Sequence, residues 1–198
     1  VDTIPTSADF SSLGFDIKLK TSDLLGDAGF CGMYFDDNVR ENVADPVEII
    51  VKFGWTDSIL KNAGDKKLQG LLVAKAMSLL YELPYCPVAR SLAKYVLRVC
   101  PNTSPIWEST RTSVYSYKQE RALSSSGRKI FDGVIPFEQY VLCSRLFKVP
   151  ISSLLELECY LDTQTSLKPI PFSLVSRLVP DSWVDAAKMV SIVPRRLV

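Results

Sequence analysis

The side chains in this sequence that could do chemistry are mostly cationic. Lys18 and Lys20 alternate with Ile17 and Leu19, so in an extended strand both amines project from one face. Farther along, Arg90, Lys94 and Arg98 recur every fourth residue, which puts three cations on one side of a helix, away from Leu92, Ala93, Val96 and Val99. A stripe of this kind can follow the phosphates of duplex RNA, which proteins contact mainly through backbone and 2′-hydroxyl groups. It is also the ordinary solvated face of an amphipathic helix. Arg111, Lys118, Arg121, Arg128 and Lys129, interleaved with Tyr115 and Tyr117, read either as a basic loop or as a contact to a nucleic-acid strand.

Other chemistries are excluded by composition. The chain has no histidine, so Ser-His-Asp and Cys-His catalysis, a histidine base and a His-containing zinc site are all ruled out. Its five cysteines (Cys31, Cys86, Cys100, Cys143, Cys159) are scattered, with no C-x-x-C pair, and read as reduced thiols on apolar stretches. Met33-Tyr34-Phe35-Asp36-Asp37 has the look of a metal-binding acidic turn. However, the polar Asn38-Val39-Arg40-Glu41-Asn42 follows where a second apolar strand should be, so no metal site is assigned. With 23 basic and 22 acidic residues the net charge is +1, and bulk electrostatics announce no polyanionic partner. A 47% hydrophobic content fits a folded protein. No apolar run reaches membrane-spanning length. The opening Val-Asp-Thr-Ile-Pro is neither signal nor transit sequence, and the chain reads as part of something longer.

The elements that must position these residues follow from periodicity and punctuation. Residues 8–13 end a helix at Gly14, and Phe15 to Lys20 alternates as a strand. Phe30 to Phe35 is a second strand, and the two are expected to pair as a hairpin. Asp45-Pro46 starts a helix that stops at Gly54. Asp65 caps a longer helix whose stripe is Leu68, Leu71, Leu72, Ala76, Leu79, Leu80 and Leu83. Pro84 ends it, and Pro87, Pro136, Pro150 and Pro180 each open another helix, with a Ser/Thr-rich loop from Pro101 to Gly133. The fold class is therefore α+β, a short β hairpin (residues 1–37) followed by a mainly helical domain (residues 38–198).

Set in order, L-G-F-D-I-K-L-K, G-F-C-G-M-Y-F and V-A-D-P-V-E-I-I-V-K-F-G resemble the RNA-dependent RNA polymerases of positive-strand RNA viruses, nearest to the alphavirus-like and noda-like groups. The likeness covers about the first hundred residues, where K-L-Q-G-L-L-V-A-K-A-M to R-V-C looks like thumb helices. The resemblance implies that the first segment is motif D of the palm, the second is motif E (the primer grip), and the rest is thumb. Lys18, and after it Lys20, then match a lysine that protonates departing pyrophosphate, a role suited to an amine beside a triphosphate. Phe30, Cys31 and Gly32 match the grip, with the small residues at the hairpin tip where backbone approaches the nascent strand, and Arg90, Lys94 and Arg98 become RNA contacts.

The implied partners are template and nascent RNA, nucleoside triphosphates, and the upstream fingers and palm of the same polymerase, in a replication complex in the host cytoplasm. The aspartates that hold magnesium in such enzymes are missing here, so magnesium is expected in the intact polymerase and no cofactor in this fragment. The competing reading is a non-catalytic helical interaction or RNA-binding module.

Overall fold

Short-range signals set most of the element boundaries in the computed structural model, which describes residues 4–19, 21–35, 41–54, 63–106 and 133–178. Helix α1 (Ser7–Ser12) opens where the Asp9 carboxylate accepts from the Thr6 N–H (2.7 Å) and hydroxyl (2.8 Å), and Gly14 follows its end at φ +84°. A 3-10 turn (Leu25–Asp27) precedes strands β1 (Gly29–Phe30), β2 (Met33–Phe35) and β3 (Asn42–Ala44), which form one antiparallel sheet in that order.

Helix α2 (Pro46–Phe53) starts as the sequence predicts. Asp45 accepts from the Val47 N–H at 2.8 Å, Pro46 takes the first helical position, and Gly54 closes the helix. Helices α3 (Asp65–Glu82), α4 (Ala89–Val99), α5 (Phe137–Phe147), α6 (Ile151–Thr163) and the short α7 (Phe172–Val175) follow. Among the described residues no helix is long and apolar enough to cross a membrane.

A small sheet followed by helices is the α+β arrangement expected, but two elements differ from the sequence reading. Phe15 to Leu19 forms no strand; it runs as irregular, mostly exposed chain. The apolar run that was to be its partner turns back on itself at Cys31-Gly32. Gly29 pairs with Tyr34 and Phe30 with Met33, and the other edge of β2 is taken by β3 (Tyr34 with Val43). A strand exists only where a ladder partner is available, and β3 lies past residue 37, so the sheet crosses the boundary expected there. The second difference is the cap of α3. Gly64 holds that position, and Asp65 is its first helical residue, where a carboxylate still favours the positive end of the helix dipole. The segments around Asp36-Asp37, Arg111 to Lys129 and Pro180 lie outside the described residues, as does Lys20.

The core joins β3 and all the longer helices. Val43, Val47, Val73, Leu80, Leu92, Val96, Leu154, Leu157 and Leu161 are buried in one cluster. On α3 the buried positions are Gly70, Val73, Ala74, Ala76 and Leu80, while Leu68, Leu71, Leu72 and Leu79 are only half-buried. The stripe is thus rotated toward the small residues. The reason is close approach: α3 packs chiefly on α4, and a β-carbon added at Gly70 would meet Ile106 at 2.7 Å and the Ser104 carbonyl at 3.1 Å. Ile106 N–H also donates to the Gly70 carbonyl at 2.9 Å, tying the chain after α4 back onto α3. Gly70→Val is therefore expected to destabilise the fold by roughly 1–3 kcal/mol through overpacking. In urea this reads as a lower midpoint with an unchanged slope.

Candidate functional site

The hairpin tip is built from two residues in left-handed backbone. Cys31 has φ 52° and Gly32 φ 77°, the pair of positive angles that a tight two-residue turn needs to match the twist of its strands. Asparagine or glycine usually fills the first of these positions, and a cysteine there carries some strain. Nothing lies within 4 Å of where a Gly32 β-carbon would stand, so what requires glycine is the backbone angle and not lack of space. Both tip residues and Phe30 are exposed, as a surface that meets another molecule must be.

Below the tip runs a groove of about 380 Å³ between β2, α2 and α3, whose lining includes Cys31, Gly32, Glu48, Lys52, Lys75 and Glu82. Lys75 was not singled out in the sequence, although a lysine between Ala74 and Ala76 on a buried helix face is a legible signal. Its ammonium donates to the Lys52 carbonyl at the C-terminal end of α2 and lies 6.0 Å from the centre of the Phe53 ring. Loss of solvent lowers its pKa. Lys52 pairs with Glu48 at 2.7 Å, an exposed contact one helical turn apart.

The tip is fastened to α5. The Tyr34 ring stands edge-on to Phe147 at 5.5 Å and covers Gly29, where an added β-carbon would meet it at 2.7 Å. Asp27 pairs with Arg145 at 3.0 Å, and Gly26 is buried against Arg145 and Leu142.

The structure brings Phe30, Cys31 and Gly32 together but does not gather the other candidates around them. Lys18 is exposed and is not among the residues lining the groove. The helix stripe needs correcting. Arg90 is only 4% exposed, buried beside Tyr140, and Lys94 is half-buried. Arg98 is turned to the end of α6, where its Nη2 donates to the carbonyls of Leu161 (2.6 Å) and Gln164 (3.1 Å), with Asp162 3.8 Å from Nη1. Spacing put the three on one side of α4 correctly, but α6 packs on α4, Arg90 is buried, and the exposed Arg98 has its guanidinium engaged by the end of α6.

Around Arg90 lies a buried polar cluster that the sequence reading missed. Glu158 accepts from the Val88 N–H (2.6 Å), from the Tyr140 hydroxyl (2.6 Å) and from Ser91. Its signal was available: Leu154, Leu157 and Leu161 form the apolar stripe of α6, and residue 158 is the one carboxylate on it. Burial raises the Glu158 pKa despite the hydrogen bonds that oppose the shift, and burial next to this carboxylate pushes the Tyr140 hydroxyl up. Cys143, hydrogen-bonded to Cys86 and buried, is also held far above the usual thiol range. Cys86 and Cys100 are buried as well, while Cys31 and Cys159 are exposed; all five are free. Among the described residues no group of three acidic, Cys or His side chains could hold a metal ion.

No family model, no curated protein and no solved structure matches the chain.

The buried carboxylate gives a pH-dependent test. Its folded pKa lies above its unfolded value, so between the two the folded state binds the extra proton, and stability falls as pH rises through that window. Glu158→Gln is expected to flatten this slope in thermal melts while retaining an acceptor for Val88. Glu158→Ala, which strands the buried donors, is expected to cost about 3 kcal/mol.

Proposed function

We propose that this chain is the C-terminal palm and thumb portion of an RNA-dependent RNA polymerase of a positive-strand RNA virus, and that it holds template and nascent RNA during nucleotidyl transfer. The observation that carries the reading is the exposed Cys31-Gly32 turn overhanging the groove at the root of α2 and α3. It stands in the chain order the resemblance implies: a lysine-bearing segment, a small-tipped hairpin, then helices. In this reading the tip backbone approaches the sugar-phosphate of the nascent strand, which exposed small residues allow and a bulky side chain would obstruct. Lys18, exposed and ahead of the hairpin, donates a proton to the departing pyrophosphate. Arg90 and Arg98 take a structural part in place of the RNA contacts first expected of them.

Magnesium in such an enzyme supports both the attacking and the leaving oxygen. The part assigned to this chain is to hold RNA and move a proton.

The test uses the complete polymerase. Lys18→Ala is expected to slow single-turnover nucleotide addition by about a hundredfold with little change in RNA affinity. Gly32→Val forces a branched side chain into left-handed backbone at a cost on the order of 1–3 kcal/mol, and is expected to weaken primer–template binding while circular dichroism stays unchanged. If both variants add nucleotides and bind RNA normally, the assignment of this segment is wrong.

A further inference from the structure

A second recess lies away from the hairpin tip. It is a pocket of about 590 Å³ between α2, α3, α4 and the segment 167–170 that follows α6, and among the described residues it shares only Phe53 with the groove under the tip. Its walls include Ile50, Leu72, Leu92 and Val96, and among the described residues that line it only Tyr95 and Lys168 have polar side chains. The Tyr95 hydroxyl is already used. It donates to the Ser166 carbonyl (2.9 Å) and accepts from the Lys168 N–H (2.9 Å), which staples the outer wall to α4. Lys168 is exposed on that wall, and its ammonium pairs with no carboxylate among the described residues. No acidic side chain stands beside it in the described lining.

These walls select a class of ligand. The volume is that of a small-molecule site, roughly 300–1,000 Å³. A nucleotide would leave its donors and acceptors unpaired against hydrocarbon, a cost that disfavours it. A neutral hydrocarbon would make no use of the single charge at the rim. Charge complementarity calls for an apolar molecule with an anion at one end. We infer that this pocket binds a free fatty acid, its acyl chain against Ile50, Leu72, Leu92 and Val96 and its carboxylate on the Lys168 ammonium. The inference goes beyond the polymerase reading and does not depend on it. Burial of the chain supplies the affinity, about fourfold for each methylene removed from water. An ion pair at an exposed lysine adds about a few-fold and mainly sets which end enters first. Gly54 offers a way to close the pocket without straining the fold. It lines the pocket at φ −83°, an angle any residue adopts, and among the described residues nothing lies within 4 Å of where its β-carbon would stand.

The test is photolabelling of the intact protein that carries this chain, using dodecanoic acid with a diazirine at its chain end, below its micelle concentration. Adducts are mapped by peptide sequencing. The expected result is saturable labelling of peptides that carry Ile50, Leu72 or Leu92 to Val96, displaced more readily by dodecanoate than by decanoate or dodecanol. Gly54→Phe is expected to abolish the label, and Ile50→Trp to do the same by filling the space from another position on α2, with circular dichroism confirming the fold of each. Lys168→Gln is expected to weaken displacement by dodecanoate by about a few-fold and to leave that by dodecanol unchanged. No saturable label, a label elsewhere in the chain, or one seen only when the acid is presented in phosphatidylcholine vesicles overturns the inference. So does equal displacement by dodecanol and dodecanoate, or labelling that survives a folded blocking variant.

Discussion

One carboxylate under the start of α4 holds the helical half together. Removing an ionised side chain from water costs several kcal/mol, and Glu158 is retained in the interior because the N-terminus of a helix offers N–H groups with no partner of their own and the positive end of a dipole. Its bond to Val88 compensates a second cost. Val88 is a branched residue at φ +65°, a conformation that persists only when its surroundings over-determine it. Through Tyr140 the same carboxylate reaches α5, so three helices meet at one group. The turn before Val88 contributes a further link, since the Cys86 thiol lies 3.7 Å from the Ala44 carbonyl at the end of β3.

From this junction, position is handed outward to the tip by α5. One end of that helix carries Tyr140 against Glu158. The other presents Arg145 and Phe147 to Asp27 and Tyr34. The hairpin has two strands of two and three residues and could not stand alone in water. Its orientation is therefore inherited from the helix beneath it and from β3, whose Val43 is fully buried in the helical core. The groove under the tip is set in the same way: Lys75 of α3 holds the end of α2, so its two helical walls are joined by a charged hydrogen bond as well as by packing.

What the sequence made legible is what local chemistry decides. Asp45-Pro46 and Gly54 bound a helix because a side-chain acceptor, a missing N–H and a permissive residue act within a few positions. Pro136 and Pro150 each stand immediately before a helix for the same reason. The tip at Cys31-Gly32 entered only through the resemblance, since the apolar run from Phe30 to Phe35 read as one strand although Gly32 at positive φ is a local turn signal. The rest depends on partners distant in sequence. Phe15 to Leu19 alternates like a strand, yet the neighbour it would need folds onto itself and onto β3. Arg90 and Arg98 share a side of α4, but the burial of Arg90 and the bonds of Arg98 to the end of α6 come from packing that no spacing rule reports. Glu158 falls between the two cases: its place on an apolar stripe was visible, and its donors, 70 and 18 residues away, were not.

Stability and the candidate site are consequently located in different parts of the chain. The helices from α2 onward own the buried cluster, while the stretch carrying Lys18, Phe30, Cys31 and Gly32 has little burial of its own. Regions with few buried contacts open at low free energy, and binding segments are drawn from them because they must adapt to what they bind. Here the adaptation is restricted at one end only. Tyr34 and Asp27 fix the base of the hairpin to α5, while the tip lines the groove. In the proposed reading, gripping a strand and releasing it as it advances calls on that combination, a fixed base and a tip whose exposed small residues offer backbone to whatever lies beside it.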